Sequence, residues 1–153
     1  MKFVFLLRNP IDRAYSHWTM ESNRKRESHS FLKAIKRELK YRSTPDRTRS
    51  YIRRGLYSHQ ITRFIELFGK DQILLLKYDD YNQNQKESIG SVLSFLGVDC
   101  SRFEFKEERK LVTRYNREMT DRERGVLLEI YDEEISRLET LTGWDCTDWL
   151  GLK

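Results

Sequence analysis

Arg8 and Ser16, eight positions apart, are residues whose types and setting suit binding chemistry. Arg8 directly follows the apolar run Phe3–Leu7 and is followed by Asn9-Pro10. A guanidinium presents a rigid fork of donors that matches a phosphate bidentately. If the apolar run is a parallel strand, Arg8 stands at its carboxyl end, where open sheets take their ligands. Asn9 suits a helix cap and Pro10 a first helical position. A helix over Ile11 to about Asn23 would then turn its positive end towards the same crevice. Ser16, one to two turns into that helix, would offer its hydroxyl to an anion beside Arg8. A surface ion pair for the arginine and a solvent-facing serine fit the same residue types, so the residues alone leave both readings open. Arg13 lies on another face of the helix and reads as a surface residue.

His17 adjoins Ser16 and tempts as a proton acceptor. Consecutive helical residues lie about 100° apart, so a helix that turns Ser16 to a ligand turns His17 away. His59, on a later helical stretch, reads as a packing or surface residue rather than an acceptor-side base. Trp18, Trp144 and Trp149 read as core or edge anchors.

Strands and helices must position these residues. Lys2–Leu7 and Gln72–Tyr78 contain the continuous apolar runs Phe3–Leu7 and Ile73–Leu76, which predicts that both segments are buried parallel strands. Ser30 is expected to cap a helix over Phe31–Arg42, with Phe31, Ile35 and Leu39 on one face. Ser43–Ser50 is a polar loop. Further helices are predicted over Leu56–Phe68, stopped by Gly69, and over Gln85–Leu96, stopped by Gly97. Asp79–Asn82 reads as an exit loop and Asp99–Met119 as irregular and basic. Thr120-Asp121-Arg122-Glu123 is a capping box opening the longest helix, which Gly143 ends. The alternation predicts an α/β fold in a single domain over residues 1–153.

Composition bounds the rest. The 153 residues include 29 Lys and Arg against 24 Asp and Glu, a net charge of +5 that suits an anionic ligand. Positive charge concentrates between Arg24 and Arg54, whereas Asp121–Glu139 is acidic. The basic stretch, with Tyr41 and Tyr51 interleaved, also fits a module that binds nucleic acid or another polyanion, or a solvated helix surface. No stretch approaches the length of an apolar membrane span. Cys100 and Cys146 form no metal or disulfide framework, and a reducing cytoplasm is the expected location.

Three segments carry a family resemblance. "LLRNPIDRAYSHW" resembles the 3′-phosphate-binding segment of sulfotransferases that use 3′-phosphoadenosine 5′-phosphosulfate (PAPS). "RGLYSHQITRFIELFGKDQILLLKYDDY" is similar to that family's next segment, a Gly-x-Tyr helix followed by a strand. "REMTDRERGVLLEIYDEEISRLETLTGWDCTDWL" resembles its closing helix. The matches occur in order, and their flavour is that of bacterial and heparan-sulfate-type members. The resemblance implies a P-loop-like sulfotransferase fold, a short parallel sheet flanked by several helices. It implies that Arg8 and Ser16 bind the 3′-phosphate of PAPS or of its product, 3′-phosphoadenosine 5′-phosphate. It also implies that a basic loop closes over the nucleotide. Arg109, Lys110, Arg114 and Arg117 occupy that place, with Lys110 and Arg114 the candidate ligands. The implied partners are the nucleotide and a hydroxyl or amine acceptor, carbohydrate among them.

The family's glycine-rich phosphate loop and the general base that follows it have no counterpart here. Gly69-Lys70 is the nearest dipeptide, but Asp71 follows, and it lies between a helix and a strand. The chain is therefore expected to correspond to roughly the C-terminal three-fifths of such a domain. By itself this chain is expected not to catalyse sulfuryl transfer, and no catalytic residue is assigned. A non-catalytic remnant is the alternative. A sheet without its first strand would expose an edge, which predicts self-association.

Overall fold

The computed structural model describes residues 1–41, 46, 48–99, 104–105 and 115–151. Among them the fold is mixed α/β, with a two-stranded parallel sheet and seven α-helices. The chain divides into two compact units. The first comprises Met1–Arg8 and Gln60–Val112, the second Asn9–His59 and Thr113–Lys153.

In the first unit, β1 (Phe3–Leu7) pairs in parallel with β2 (Ile73–Lys77), in a register that sets Phe3 opposite Ile73 and Leu7 opposite Lys77. Both strands lie where the apolar runs placed them. Phe3 and Phe5 pack edge-on against Phe64, each at 5.1 Å between ring centroids. Phe64 and Phe68 belong to α3 (Tyr57–Phe68). The strands are less buried than expected, because among the described residues β1 is covered mainly on the side of Phe3 and Phe5. Val4 and Leu6, which alternate with the two phenylalanines, remain 40% and 45% exposed. Residues 79–82, read as a loop, fold instead as part of a short helix, α4 (Tyr78–Gln83). Asp79 and Asp80 sit in its first turn, where carboxylates favour the positive helix end. After it, α5 (Gln85–Leu96) ends at Gly97, which takes the left-handed backbone expected of a stop.

The well-buried core belongs mostly to the second unit. There α1 (Pro10–Asn23) starts as the sequence implied, with the Asn9 side chain accepting the Ile11 N–H at 2.9 Å and Pro10 in the first turn. Ser30 occupies the cap position of α2 (Phe31–Lys40), but its side chain makes no capping bond. The long helix α6 (Asp121–Thr142) carries the expected capping box, with Thr120 and Glu123 each accepting the other's backbone N–H. It buries Leu127, Tyr131, Ile135 and Leu138 against the unit's other helices. A four-residue helix, α7 (Thr147–Leu150), follows and buries Trp149, as the anchor reading implied.

Tyr131 ties α6 to the segment before α3. Its hydroxyl donates to the Ile52 carbonyl at 2.9 Å, and a Cβ built on Gly55 would lie 2.6 Å from that hydroxyl oxygen. Both residues are buried, so neither can give way cheaply. We expect Gly55→Ala to destabilise the protein by about 1–3 kcal/mol through overpacking. Adding Tyr131→Phe removes the nearest clashing atom but keeps ring carbons at 2.9 and 3.0 Å, so the double variant should lose somewhat less than the two single losses combined. Urea denaturation of all four proteins checks this, and strict additivity would contradict it.

His17, 8% exposed, packs edge-on against the Tyr51 ring at 5.0 Å between ring centroids. Burial, with the nearby Arg13, Arg54 and Arg24 charges, lowers its pKa to about 4. An unfolded histidine titrates near 6.5, so between these values the unfolded state binds the extra proton. Stability contributed by neutral His17 is therefore complete above about pH 6.5 and is lost as pH falls towards 4. The full loss is up to about 3 kcal/mol. His17→Phe should flatten this part of the stability–pH curve, measured by thermal melts in matched buffers.

Candidate functional site

The parallel register places Arg8 at the carboxyl end of the sheet. Since Leu7 faces Lys77, the residues leaving the two strands side by side are Arg8 and Tyr78. The Arg8 guanidinium lies 5.5 Å over the Tyr78 ring centroid. A guanidinium at that distance is attracted by the electron-rich face of the ring. Arg8 is half-buried, as is Tyr78. Nothing in the sequence marked Tyr78 as a partner. The usable signal was that it leaves a parallel strand at the same end as Arg8.

Ser16 belongs to the second unit and is half-buried on α1, between the buried Tyr15 and His17. The separation of Ser16 from His17 follows the helical geometry, and His17 is committed to packing on Tyr51. The positive end of α1 is partly met by the chain's own oxygens. Asn9, itself buried, takes one first-turn N–H, and Asp12 places a carboxylate there that pairs with Arg124 at 2.8 Å.

Lys110 and Arg114, like Arg109, lie outside the described residues. Arg117 is described and is committed within the second unit. It donates to both oxygens of Glu123 at 2.7 and 2.5 Å and lies over the Tyr15 ring at 5.6 Å. Hydrogen bonds from Arg117 hold the Glu123 carboxyl below its usual range.

Three arginines of the basic stretch are paired with acids. Arg24 and Arg26 reach Glu21 at 3.4 and 3.8 Å. Arg49 lies 3.6 Å from both Glu27 and Asp46. Burial raises the Glu27 pKa, but hydrogen bonds from His29 and Tyr51, with the Arg49 charge, outweigh it and hold the group below its ordinary value. These pairings neutralise part of the charge that a polyanion-binding face would need. Among the described residues no group of His, Cys, Asp and Glu could hold a metal ion.

Sequence reasoning missed the polar ties that shape the segment before α3. The buried Glu134 on α6 accepts the Ser58 N–H at 2.6 Å and the Ser58 hydroxyl at 2.8 Å. Glu38 on α2 accepts the N–H groups of Ile52 and Arg53 at 2.8 and 2.9 Å. Helical spacing gave only a hint, since Glu134 shares the buried face of α6 with Leu127, Tyr131 and Leu138.

Comparison with known proteins matches this arrangement to one family. A crystal structure of a sulfotransferase from Alicyclobacillus acidocaldarius superposes with a TM-score of 0.81 at 26% sequence identity. The match covers 97% of this chain and 57% of that one, so the chain spans a little over half the length of its structural relative. No curated protein sequence matches it. Residues 1–135 match the family described as "Sulfotransferase domain". With strands, register and helices in keeping with that match, the chain belongs to the sulfotransferase family and has its P-loop-like α/β fold.

Proposed function

We propose that this domain binds PAPS, or the desulfated product, through the nucleotide's 3′-phosphate, and serves sulfuryl transfer to a hydroxyl or amine. The observation that carries the reading is Arg8, set by the strand register at the carboxyl end of a parallel sheet and backed by the Tyr78 ring. A guanidinium and a serine hydroxyl suit a phosphate monoester, since both donate hydrogen bonds and one supplies charge. Ser16 is the second proposed ligand, by its match to the family segment. Lys110 and Arg114 are proposed to close over the nucleotide on the same ground. PAPS would supply the activated sulfuryl group, and these residues would bind and orient its 3′ end.

The finer parts of this reading are an acceptor of carbohydrate type, a cytoplasmic location and self-association through the sheet. Self-association draws support from the exposure of Val4 and Leu6, and from both described strands being edge strands. Among the described residues no helix is long and apolar enough to cross a membrane.

Titration calorimetry at fixed salt tests the nucleotide site. Adenosine 3′,5′-bisphosphate should bind at least about tenfold tighter than AMP, because only the former carries the 3′-phosphate. Arg8→Ala should lose about 1.5–3 kcal/mol of binding and Ser16→Ala about 0.5–1.5 kcal/mol, the difference between a charged and a neutral donor. Equal affinities for the two nucleotides, or an Arg8→Ala protein that binds like the parent, would rule the site out.

A further inference from the structure

The second unit contains a cleft of about 320 Å³ beside α2, whose lining includes Ala34, Arg37, Tyr41, Asp46, Arg49 and Arg53. That volume is at the lower end for small-molecule sites, which run from roughly 300 to 1,000 Å³. Three carboxylates line it, and the chain's own donors occupy each. Glu27 accepts from the Tyr51 hydroxyl at 3.0 Å and the His29 N–H at 2.9 Å. Glu38 is taken by the backbone of Ile52 and Arg53, and Asp46 by the N–H groups of Thr48 and Arg49 at 2.9 and 3.2 Å.

The donors are less committed. Among the described residues the exposed Arg37 guanidinium makes no hydrogen bond or ion pair. Arg49 gives one short hydrogen bond, to the Arg26 carbonyl at 2.8 Å, and stands 3.6 Å from each of its two carboxylates. Those separations retain Coulomb attraction but exceed hydrogen-bonding distance. Tyr41 is 56% exposed, with the Lys40 ammonium 5.5 Å over its ring, and together with Ala34 it gives the cleft an aromatic and apolar wall. Subtracting the structural pairings thus leaves a cleft whose carboxylates are spent as hydrogen-bond acceptors, where Arg37 is unpaired among the described residues, where Arg49 keeps an unbonded buried Nε beside its two ion pairs, and whose wall carries the Tyr41 ring.

We propose that this cleft binds a small ring-bearing anion, a carboxylate or a sulfate ester, with Arg37 and Arg49 holding the charge and Tyr41 the ring. The proposal rests on the second unit alone and does not depend on nucleotide binding. Benzoate and phenyl sulfate, paired with the neutral benzamide and phenol, probe it by calorimetry on the whole chain without nucleotide. At least one anion should bind about tenfold or more tightly than its neutral counterpart. A preference for benzoate assigns a carboxylate, and a preference for phenyl sulfate a sulfate ester. Arg37→Gln, which removes the charge at an exposed position and keeps a polar end on a shorter side chain, should erase most of the preference, and Arg37→Lys should keep part of it. Circular dichroism melts verify that both variants stay folded, and Arg49→Gln provides a second removal of charge. Failure of both anions to bind, equal binding of anion and neutral partner, or retention of the full preference in both glutamine variants would overturn the proposal.

Discussion

The second unit depends on what α6 does to the segment between Tyr51 and Ser58. Two residues on one face of that helix hold it at both ends. The Tyr131 hydroxyl takes the Ile52 carbonyl, and the Glu134 carboxylate takes the Ser58 N–H and hydroxyl. Apolar packing brings these groups together, but it does not select one path for a chain turning between two helices. Directional bonds in a dry interior do, because each buried group that misses its partner costs about 1–3 kcal/mol. Glu38, reaching the same segment from α2, fixes the path from the other side.

This use of carboxylates explains how a basic chain folds with several acids out of solvent. Glu27, Glu123 and Glu134 are all buried, and each accepts backbone N–H groups as well as side-chain donors. A buried carboxylate with so many donors avoids most of the desolvation cost that would otherwise neutralise it. The consequence for binding is a separation of roles. The buried acids serve the scaffold, whereas Arg37 stays exposed at the protein surface.

Local rules were legible along the chain, and spatial partnerships were not. Asn9-Pro10, the Thr120–Glu123 box and Gly143 announced helix ends because capping is decided within four residues. The apolar runs announced β1 and β2, and their parallel pairing followed from the intervening helices. The covering of β1 was misjudged, since a continuous apolar run says that both faces could be buried without saying what is present to bury them. Asp79 and Asp80 looked like a loop because polar residues after a strand usually are one, and their charge instead supports a first helical turn. In the site, Arg8 stood out by residue type and position. Tyr78, seventy residues later, joined it only through strand register, a relation that no local pattern encodes. Arg117 resembled its cationic neighbours in sequence, yet the structure commits it to Glu123.

The division of the chain into units also bears on how the protein is made. The second unit is assembled from Asn9–His59 and Thr113–Lys153, with the Asn9 amide donating to the Trp149 carbonyl at 3.3 Å across 140 residues of sequence. A ribosome releases the two halves in turn, so Ile11, Phe31 and Ile35 emerge well before the α6 residues of the same core. At about 5–20 residues per second the interval is on the order of ten seconds. For that time the nascent chain carries an uncovered apolar surface, which makes its early half a natural client for chaperones that shield such surfaces during translation.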